Sequence, residues 1–419
     1  MNQRIESPGK KAWKRLKKNK SAMTGFYFII LCVFIAIFAY FIAPDNTTNA
    51  DEQILQLETH APGFSIQLVQ VKRDKKLRHA DGISHLYAQL VDGNESSYEL
   101  IPINSYKIVG VNIIIQEYLG KNFKAKERSI PLVDVLYAKS QKNDSIVYKN
   151  GMAIFTNVDE KPMSVSISEM THAINNQIFK RTFYLGTDKF GRDILSRMIL
   201  GVRVSLSVGL VSVCISFLIG VFLGACAGYF GGWIDDIIMW FITVFWSIPT
   251  FLLAMGLSLS LTSEFVTKMT GIDFGESFKF ILIFIAVGLT MWVDMARMVR
   301  GQFISIKEKE YVEAAQSLGY SHFRTIVKHI LPNIMGPVIV ILAADFASAI
   351  LTESALSYLG LGIQAPKPSW GQMLSEYRDF LNTDKAYLTL IPGIAIMCIV
   401  LAFNLIGNGL RDALDVRSN

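Results

Sequence analysis

A chain of 419 residues in which 51% are hydrophobic and only 18% charged holds more apolar side chain than a single soluble core of that size can hide, which excludes an ordinary water-soluble protein. Its formal net charge of +6 does not point to nucleic acid. Much of the excess sits in the opening RIESPGKKAWKRLKKNK, ahead of an apolar run and without a nucleic-acid-binding motif, where basic residues set membrane orientation.

Residues 1–22 are therefore expected as a basic, cytosolic N-terminus. Residues 23–44, MTGFYFIILCVFIAIFAYFIAP, are apolar over a length sufficient to cross a hydrocarbon core and longer than a signal-peptide core, which predicts an uncleaved first transmembrane helix. Residues 45–182 are polar. Pieces such as FSIQLVQVKR, SYKIVGVNIIIQEYL and DSIVYKNGMAIF, broken by Gly, Asn and Asp, predict strands joined by hairpins, with some helix: a β-rich (α+β) extracytoplasmic insertion. Its ionisable residues read as a solvated face, with no catalytic constellation among them. Residues 183–412 hold five more apolar runs, at about 202–229, 234–261, 278–299, 335–361 and 388–410. Six spans return the chain to the cytosol, where the tail 413–419 is expected. The fold class read from this pattern is an all-α polytopic membrane protein with an inserted domain between helices 1 and 2.

Charge supports that orientation. Arg300, Lys307, Lys309 and Arg324 crowd the connection at 300–333, whereas the loop near 262–277 has a single lysine, Lys268. The four cysteines, Cys32, Cys214, Cys226 and Cys398, all fall in apolar stretches, and the six histidines lack HExxH or comparable spacing. Neither a disulfide framework nor a metal site is expected.

The 300–333 connection contains YVEAAQSLGYSHFRTIVKHILPN, starting at Tyr311. Val312, Ala315 and Leu318 share one side of a helix, Glu313 and Gln316 another, and Gly319 is placed to stop it. Ser321 is a natural N-cap for a second helix, and Pro332 is expected to open the next span. The small Ala314 and Ala315 let another surface come close to the backbone. Two uses remain open on these grounds: an amphipathic helix resting on the membrane, or a plug fitted to a partner.

Charged residues inside spans invite a functional reading. Asp294 and Arg297 lie three apart on one predicted helix and can pair. Asp345 sits in VIVILAADFASAIL, where a carboxylate on lipid is costly, so it is expected to face protein or a path. Glu353 reads either as a gate or as a residue that bonds the loop following its span. The small residues of GLVSVCISFLIGVFLGACAGYFGG suit close helix packing.

The segment EAAQSLGYSHFRTIVKHILP resembles the EAA loop of binding-protein-dependent ABC importer permeases. Glu313, Ala314, Ala315, Gly319, Leu331 and Pro332 stand in register with its pattern. His329 takes the place of its isoleucine, as is usual in the dipeptide and oligopeptide branch. LGTDKFGRDILSRMILGVRVSL, AGYFGGWID, ARMVRGQ, ESALSYLGLG, PSWGQMLSEYRDFL and LAFNLIGNGLRDALDVR are similar to the C-type permease of that branch, with Asn408 and Val416 as departures. The resemblance covers roughly 10–60 and 183–417 and leaves the insertion unexplained.

The resemblance implies the type I ABC importer permease fold and a docking role for the six matched residues; Asp345, from its place in a span, and Glu353, within the family-like ESALSYLGLG, are the candidate path or gate residues. It also implies a second permease of the same branch, two ABC ATPase subunits, an extracytoplasmic substrate-binding protein and a bacterial plasma membrane. Short peptides are its default cargo; nickel and glutathione are others. This chain has no G-x-x-x-x-G-K-[ST] loop, so ATP and Mg are expected on the partner ATPase and no catalytic residue is expected here. The competing reading is a membrane-anchored receptor or enzyme whose activity lies in the insertion.

Overall fold

The computed structural model describes residues 8–75, 83–121, 123–140, 145–261, 263–271 and 276–414. Most of the basic N-terminal stretch is therefore seen, while 415–419 of the expected tail lie outside the described residues. The chain forms two compact units, Ile37–Leu200 and Met1–Ala36 with Gly201–Asn419.

In the second of these, α1 (Pro8–Lys18) and α2 (Lys20–Ile37) come first. The Ile37–Leu200 unit then holds β1 (Phe64–Lys72), α3 (Ile83–Asp92), β2 (Tyr98–Val109), β3 (Asn112–Glu117), β4 (Lys126–Pro131) and α4 (Leu132–Leu136). It continues with β5 (Val147–Lys149), β6 (Met152–Thr156), β7 (Pro162–Ser166), α5 (Ile167–Ala173) and β8 (Ile178–Phe183). A five-stranded antiparallel sheet runs β4-β3-β2-β1-β8, and a three-stranded one runs β5-β6-β7.

Strand β1 is buried on both faces. Ile66 and Leu68 point into a cluster with Leu57 and Phe183, and Val69 points into another with Ile101, Ile113 and Phe155. Asn150 and Gly151 join β5 to β6 with positive φ values of 52° and 74°, the two-residue Asn-Gly hairpin that KNGM encodes. After β8, Arg192 is buried and bonds Asp188 at 2.7 Å and Asp51 at 3.1 Å. Asp193 Oδ2 accepts the Ser196 N–H at 3.1 Å and also the Ser196 hydroxyl, capping the helix that starts at Ile194. The GTDKFGRD stretch thus folds as a buried ionic corner.

The helices that follow are α6 (Ile194–Phe230), α7 (Gly232–Trp246), α8 (Thr250–Ser260), α9 (Ser263–Thr270) and α10 (Glu276–Lys307). Then come α11 (Glu310–Ser317), α12 (Leu331–Tyr358), α13 (Trp370–Glu376) and α14 (Tyr387–Leu414). Five helical stretches among the described residues are long and apolar enough to cross a membrane, or six if the bent pair α7–α8 counts as one span. The run expected as a single helix at 234–261 is that pair, bent by 90°. Pro249 lacks an N–H and disfavours helix at Ile248 before it, so the first helix ends and α8 restarts behind the proline.

Small residues set one helix contact. A Cβ on Gly220, Gly224 or Gly228 of α6 would come within 2.6 Å of Met295 Cβ, 2.5 Å of the Ala296 carbonyl or 2.5 Å of Phe303 Cβ. Spaced four apart, these glycines let α6 lie backbone-close against α10.

Candidate functional site

Pro332 stands in the first turn of α12, as expected, but the helix continues into it from the segment before. Helix runs without interruption from His322 to Tyr358, through a π-helical stretch at Ile326–Ile330. Pro332 cannot donate to the carbonyl four residues back, and the wider turn relieves that clash; the Leu331 N–H bonds the Ile326 carbonyl instead. Asn333 Nδ2 donates to the His329 carbonyl at 2.6 Å and to the Tyr311 hydroxyl at 3.2 Å. The HILPN sequence therefore ties this long helix to the start of α11.

Helix α11 lies over the ends of the neighbouring helices. Val312 is fully buried and joins a cluster with Ala225, Tyr229, Met295, Val299, Phe303, Ile330, Ile334 and Val338. Ala315 is also buried, whereas Glu313, Ala314 and Gln316 are exposed. Leu318, expected on the same side as Val312 and Ala315, is 74% exposed. It is the C-cap, with φ −79° and ψ 5°, so it has left the helical register that carries Val312 and Ala315. Only Ala314 of the two alanines offers its backbone to another surface.

Gly319 ends the helix with φ +76°. The Tyr320 N–H bonds the Ala315 carbonyl at 3.2 Å and the Gly319 N–H bonds that of Gln316 at 2.9 Å, the two bonds of a Schellman turn. Ser321 then caps the next helix, its Oγ accepting the Arg324 N–H at 3.4 Å. The His329 ring stacks on Tyr320, 5.5 Å between centroids, and Arg324 covers that tyrosine at 4.2 Å. Leu331 is half-buried against the central cluster, and Pro332 is exposed.

Tyr229 and His322, which the sequence pattern does not single out, help lock this element in place. Tyr229, buried at the end of α6, shares a 2.9 Å hydrogen bond with His322 Nδ1 and accepts one from Gln316 Nε2 at 3.5 Å. Lys307 Nζ donates to the Tyr229 carbonyl at 2.6 Å. The AGYFGG motif contained the tyrosine, but nothing in its spacing pointed to the turn after α11. The strong ion pair is likewise elsewhere than expected. Arg300 forks onto Asp235 at 2.5 and 2.6 Å, while Arg297 lies over the Trp246 ring at 4.0 Å and Asp294 is exposed. Asp294 and Arg297 form no ion pair, because the aromatic end of α7 holds the arginine.

On α12, Asp345 accepts a hydrogen bond from Ser216 Oγ at 3.1 Å and so faces α6. Glu353 is fully buried. Ser357 Oγ donates to it at 2.7 Å, Ser369 Oγ at 3.0 Å and Ser354 Oγ at 3.5 Å. Ser357 and Ser369 in turn accept the N–H groups of Ile363 and Gln372, each at 3.0 Å. This carboxyl's bonds thus run into the loop after α12 and the cap of α13.

Residues 220–419 match the family model described as "Binding-protein-dependent transport system inner membrane component", and residues 7–62 match "N-terminal TM domain of oligopeptide transport permease C". The chain is 42% identical to the dipeptide transport system permease protein DppC of Alkalihalophilus pseudofirmus, over 55% of this chain and 71% of that one. It is 39% identical to the oligopeptide transport system permease protein OppC of Bacillus subtilis, over 55% and 71%. Against the glutathione transport system permease protein GsiD of Pectobacterium atrosepticum the identity is 38%, over 55% and 72%. Among solved structures, an inward-facing form of the MetNI methionine ABC transporter aligns with 53% of this chain and 98% of its own at 16% identity, a weak likeness with a TM-score of 0.42.

The chain belongs to the binding-protein-dependent transport inner-membrane-component family. It is a multi-pass permease subunit of an ABC importer, without catalytic activity of its own, in a family whose members work with a partner permease, a separate ATPase and a substrate-binding protein.

Proposed function

We propose that this permease carries short peptides across a bacterial plasma membrane, as one half of a path completed by the second permease. Both termini and the 300–333 connection lie in the cytosol, and the β-rich unit lies outside. Two ATPase subunits bind and hydrolyse ATP with Mg; one of them receives α11. The observation that carries the coupling role is the division of that helix. Val312 buries in the packed ends of α6, α10 and α12 and Ala315 is also buried, while Glu313, Ala314, Gln316 and Leu318 stay exposed. A push on the exposed face therefore reaches three long helices through one rigid contact, which is what a nucleotide-driven two-state element requires. Peptide cargo is supported by similarity to the dipeptide and oligopeptide permeases, both over the same share of this chain.

Asp345 lines the path or the seam with the second permease, and Glu353 holds the loop bordering it. A tagged chain purified with its membrane partners tests the scheme. A cysteine at Ala314 should cross-link to an ATPase subunit, and a cysteine at Ser96 should react with an impermeant maleimide in intact spheroplasts. Absence of any ATPase cross-link in a complex that still hydrolyses ATP rejects the docking role; Ser96 labelling only after lysis rejects the orientation.

A further inference from the structure

The corner between α1 and α2 is built to hold one shape. Leu16 and Ala22 are buried, packed with Ala413 of α14. Asn19 caps α2, its Oδ1 accepting the Ala22 N–H at 3.1 Å while its own N–H bonds the Leu16 carbonyl at 3.0 Å. Trp13 sits edge-on to Phe26 at 5.5 Å, and Lys17 Nζ lies 5.4 Å over the Trp13 ring. On the outer side of this corner is a groove of about 470 Å³ lined by Lys17, Lys20, Met23, Thr24 and Tyr27.

Two features of the groove define its occupant. At one end it is cationic: Lys17 and Lys20 are exposed, Lys10, Lys11, Lys14 and Lys18 are exposed nearby, and the sequence has no acidic residue from Pro8 to Pro44. At the other end it opens onto an apolar stripe. Lys20, Thr24, Tyr27, Leu31 and Phe34 follow one another three or four residues apart along one face of α2, and Tyr27, Leu31 and Phe34 are more than half exposed. The opposite face, with Ala22, Gly25, Cys32 and Ala36, is buried; a Cβ on Gly25 would stand 2.7 Å from the Ala402 carbonyl of α14.

We propose that this groove is a binding site for one anionic glycerophospholipid, its phosphate between Lys17 and Lys20 and its acyl chains along Tyr27, Leu31 and Phe34. A free phosphate matches only the cationic end, and an uncharged or zwitterionic lipid matches mainly the stripe; the anionic phospholipid matches both. Lys17 and Lys20 both line one groove on a packed helix corner, which distinguishes the site from the diffuse attraction of a basic segment for a charged membrane.

The test is native mass spectrometry of the assembled complex in mild detergent, titrated with phosphatidylglycerol or phosphatidylcholine. Wild-type complex should retain phosphatidylglycerol preferentially, and joint Lys17→Gln and Lys20→Gln substitution should weaken it about thirtyfold, the contribution of one surface cation at each of the two positions. Joint Lys10→Gln and Lys11→Gln substitution, which removes equal charge outside the groove, should change it less than about twofold. Glycerol 3-phosphate, having the headgroup but no chains, should fail to displace the lipid. Leu31→Ser, which spares every lysine, provides a second variant and should also weaken retention. Equal losses from the two lysine pairs, equal binding of phosphatidylcholine, or displacement by glycerol 3-phosphate would each overturn the proposal.

Discussion

Replacing Gly319 isolates the backbone contribution to the turn that ends α11. A Cβ built there meets nothing within 4 Å, so alanine introduces no clash. Its cost is conformational: at φ +76° an L-residue other than glycine or asparagine loses about 1–2 kcal/mol. That shifts the turn equilibrium by roughly five- to thirtyfold, away from the geometry that sets α11 against Ser321 and the following helix. Asparagine tolerates this region better. Proline cannot enter it, because its ring fixes φ near −65° and removes the N–H now bonded to Gln316. The expected order of damage is Asn, then Ala, then Pro. The assay is peptide-stimulated ATP hydrolysis by the complex reconstituted with its binding protein, with membrane insertion followed by yield and monodispersity. Spans should insert normally in all three variants, while stimulation falls in that order and is lost in Gly319→Pro. Full coupling in Gly319→Pro, or equal loss in all three, would refute the link between this turn and energy transfer.

Tyr229→Phe keeps the ring in its cluster but removes the hydrogen bonds with His322 and Gln316. It should weaken stimulated ATPase activity severalfold, for a loss of about 1 kcal/mol, with little change in thermal unfolding; unaltered coupling would dismiss it as a transmission contact. Asp345→Asn can still accept from Ser216 and should express normally with altered peptide uptake, whereas Asp345→Leu should reduce both uptake and co-purification of the second permease. Wild-type values for Asp345→Leu would remove any role for that carboxylate. Outside the membrane helices, burial raises the Glu52 carboxyl from its ordinary 4.5 to about 7, with Asp45 adding and Arg181 only partly offsetting. A raised folded value means that the folded form holds a proton the unfolded form releases. This group's stabilisation is therefore full below about pH 4.5 and lost as pH rises through about 7. Glu52→Gln should flatten that part of the pH dependence of hydrogen-exchange protection in β1 of the intact complex; an unchanged slope would reject the assignment.

Much of the membrane unit was legible because its signals are local and repeated. Long apolar runs mark helices whatever packs on them, and the Gly220, Gly224 and Gly228 series needs only its spacing to suggest close packing. Gly319 and Ser321 were readable for the same reason, since a helix stop and a cap are chosen by one residue and its immediate backbone. The bend at Pro249 was missed because hydropathy sums over a window and is indifferent to a break within it. Leu318 was misplaced by extending a helical period through the residue where the Schellman turn unwinds it.

What the sequence hid are contacts between segments distant along the chain. Arg297 and Asp294 have ideal spacing for a pair, yet the arginine lies over Trp246, 51 residues away from it in sequence, and Arg300 takes Asp235 across a separation of 65. Tyr229 meets His322 across 93 residues. A helical period ranks neighbours on one helix and is silent on which other helix will cover them; only tertiary packing decides that. The element proposed to couple ATP hydrolysis to transport shows the consequence most plainly. Of the matched EAA residues, Glu313 and Ala314 supply its exposed surface and Gly319 its stop, but the parts placed to transmit a force under the proposed scheme are Val312 in the core, Tyr229 on α6 and Asn333 on the continuous helix. A permease variant that leaves the EAA pattern intact and alters those three residues should therefore still bind its ATPase while losing the link to the spans, a separation that co-purification and stimulated turnover measure independently.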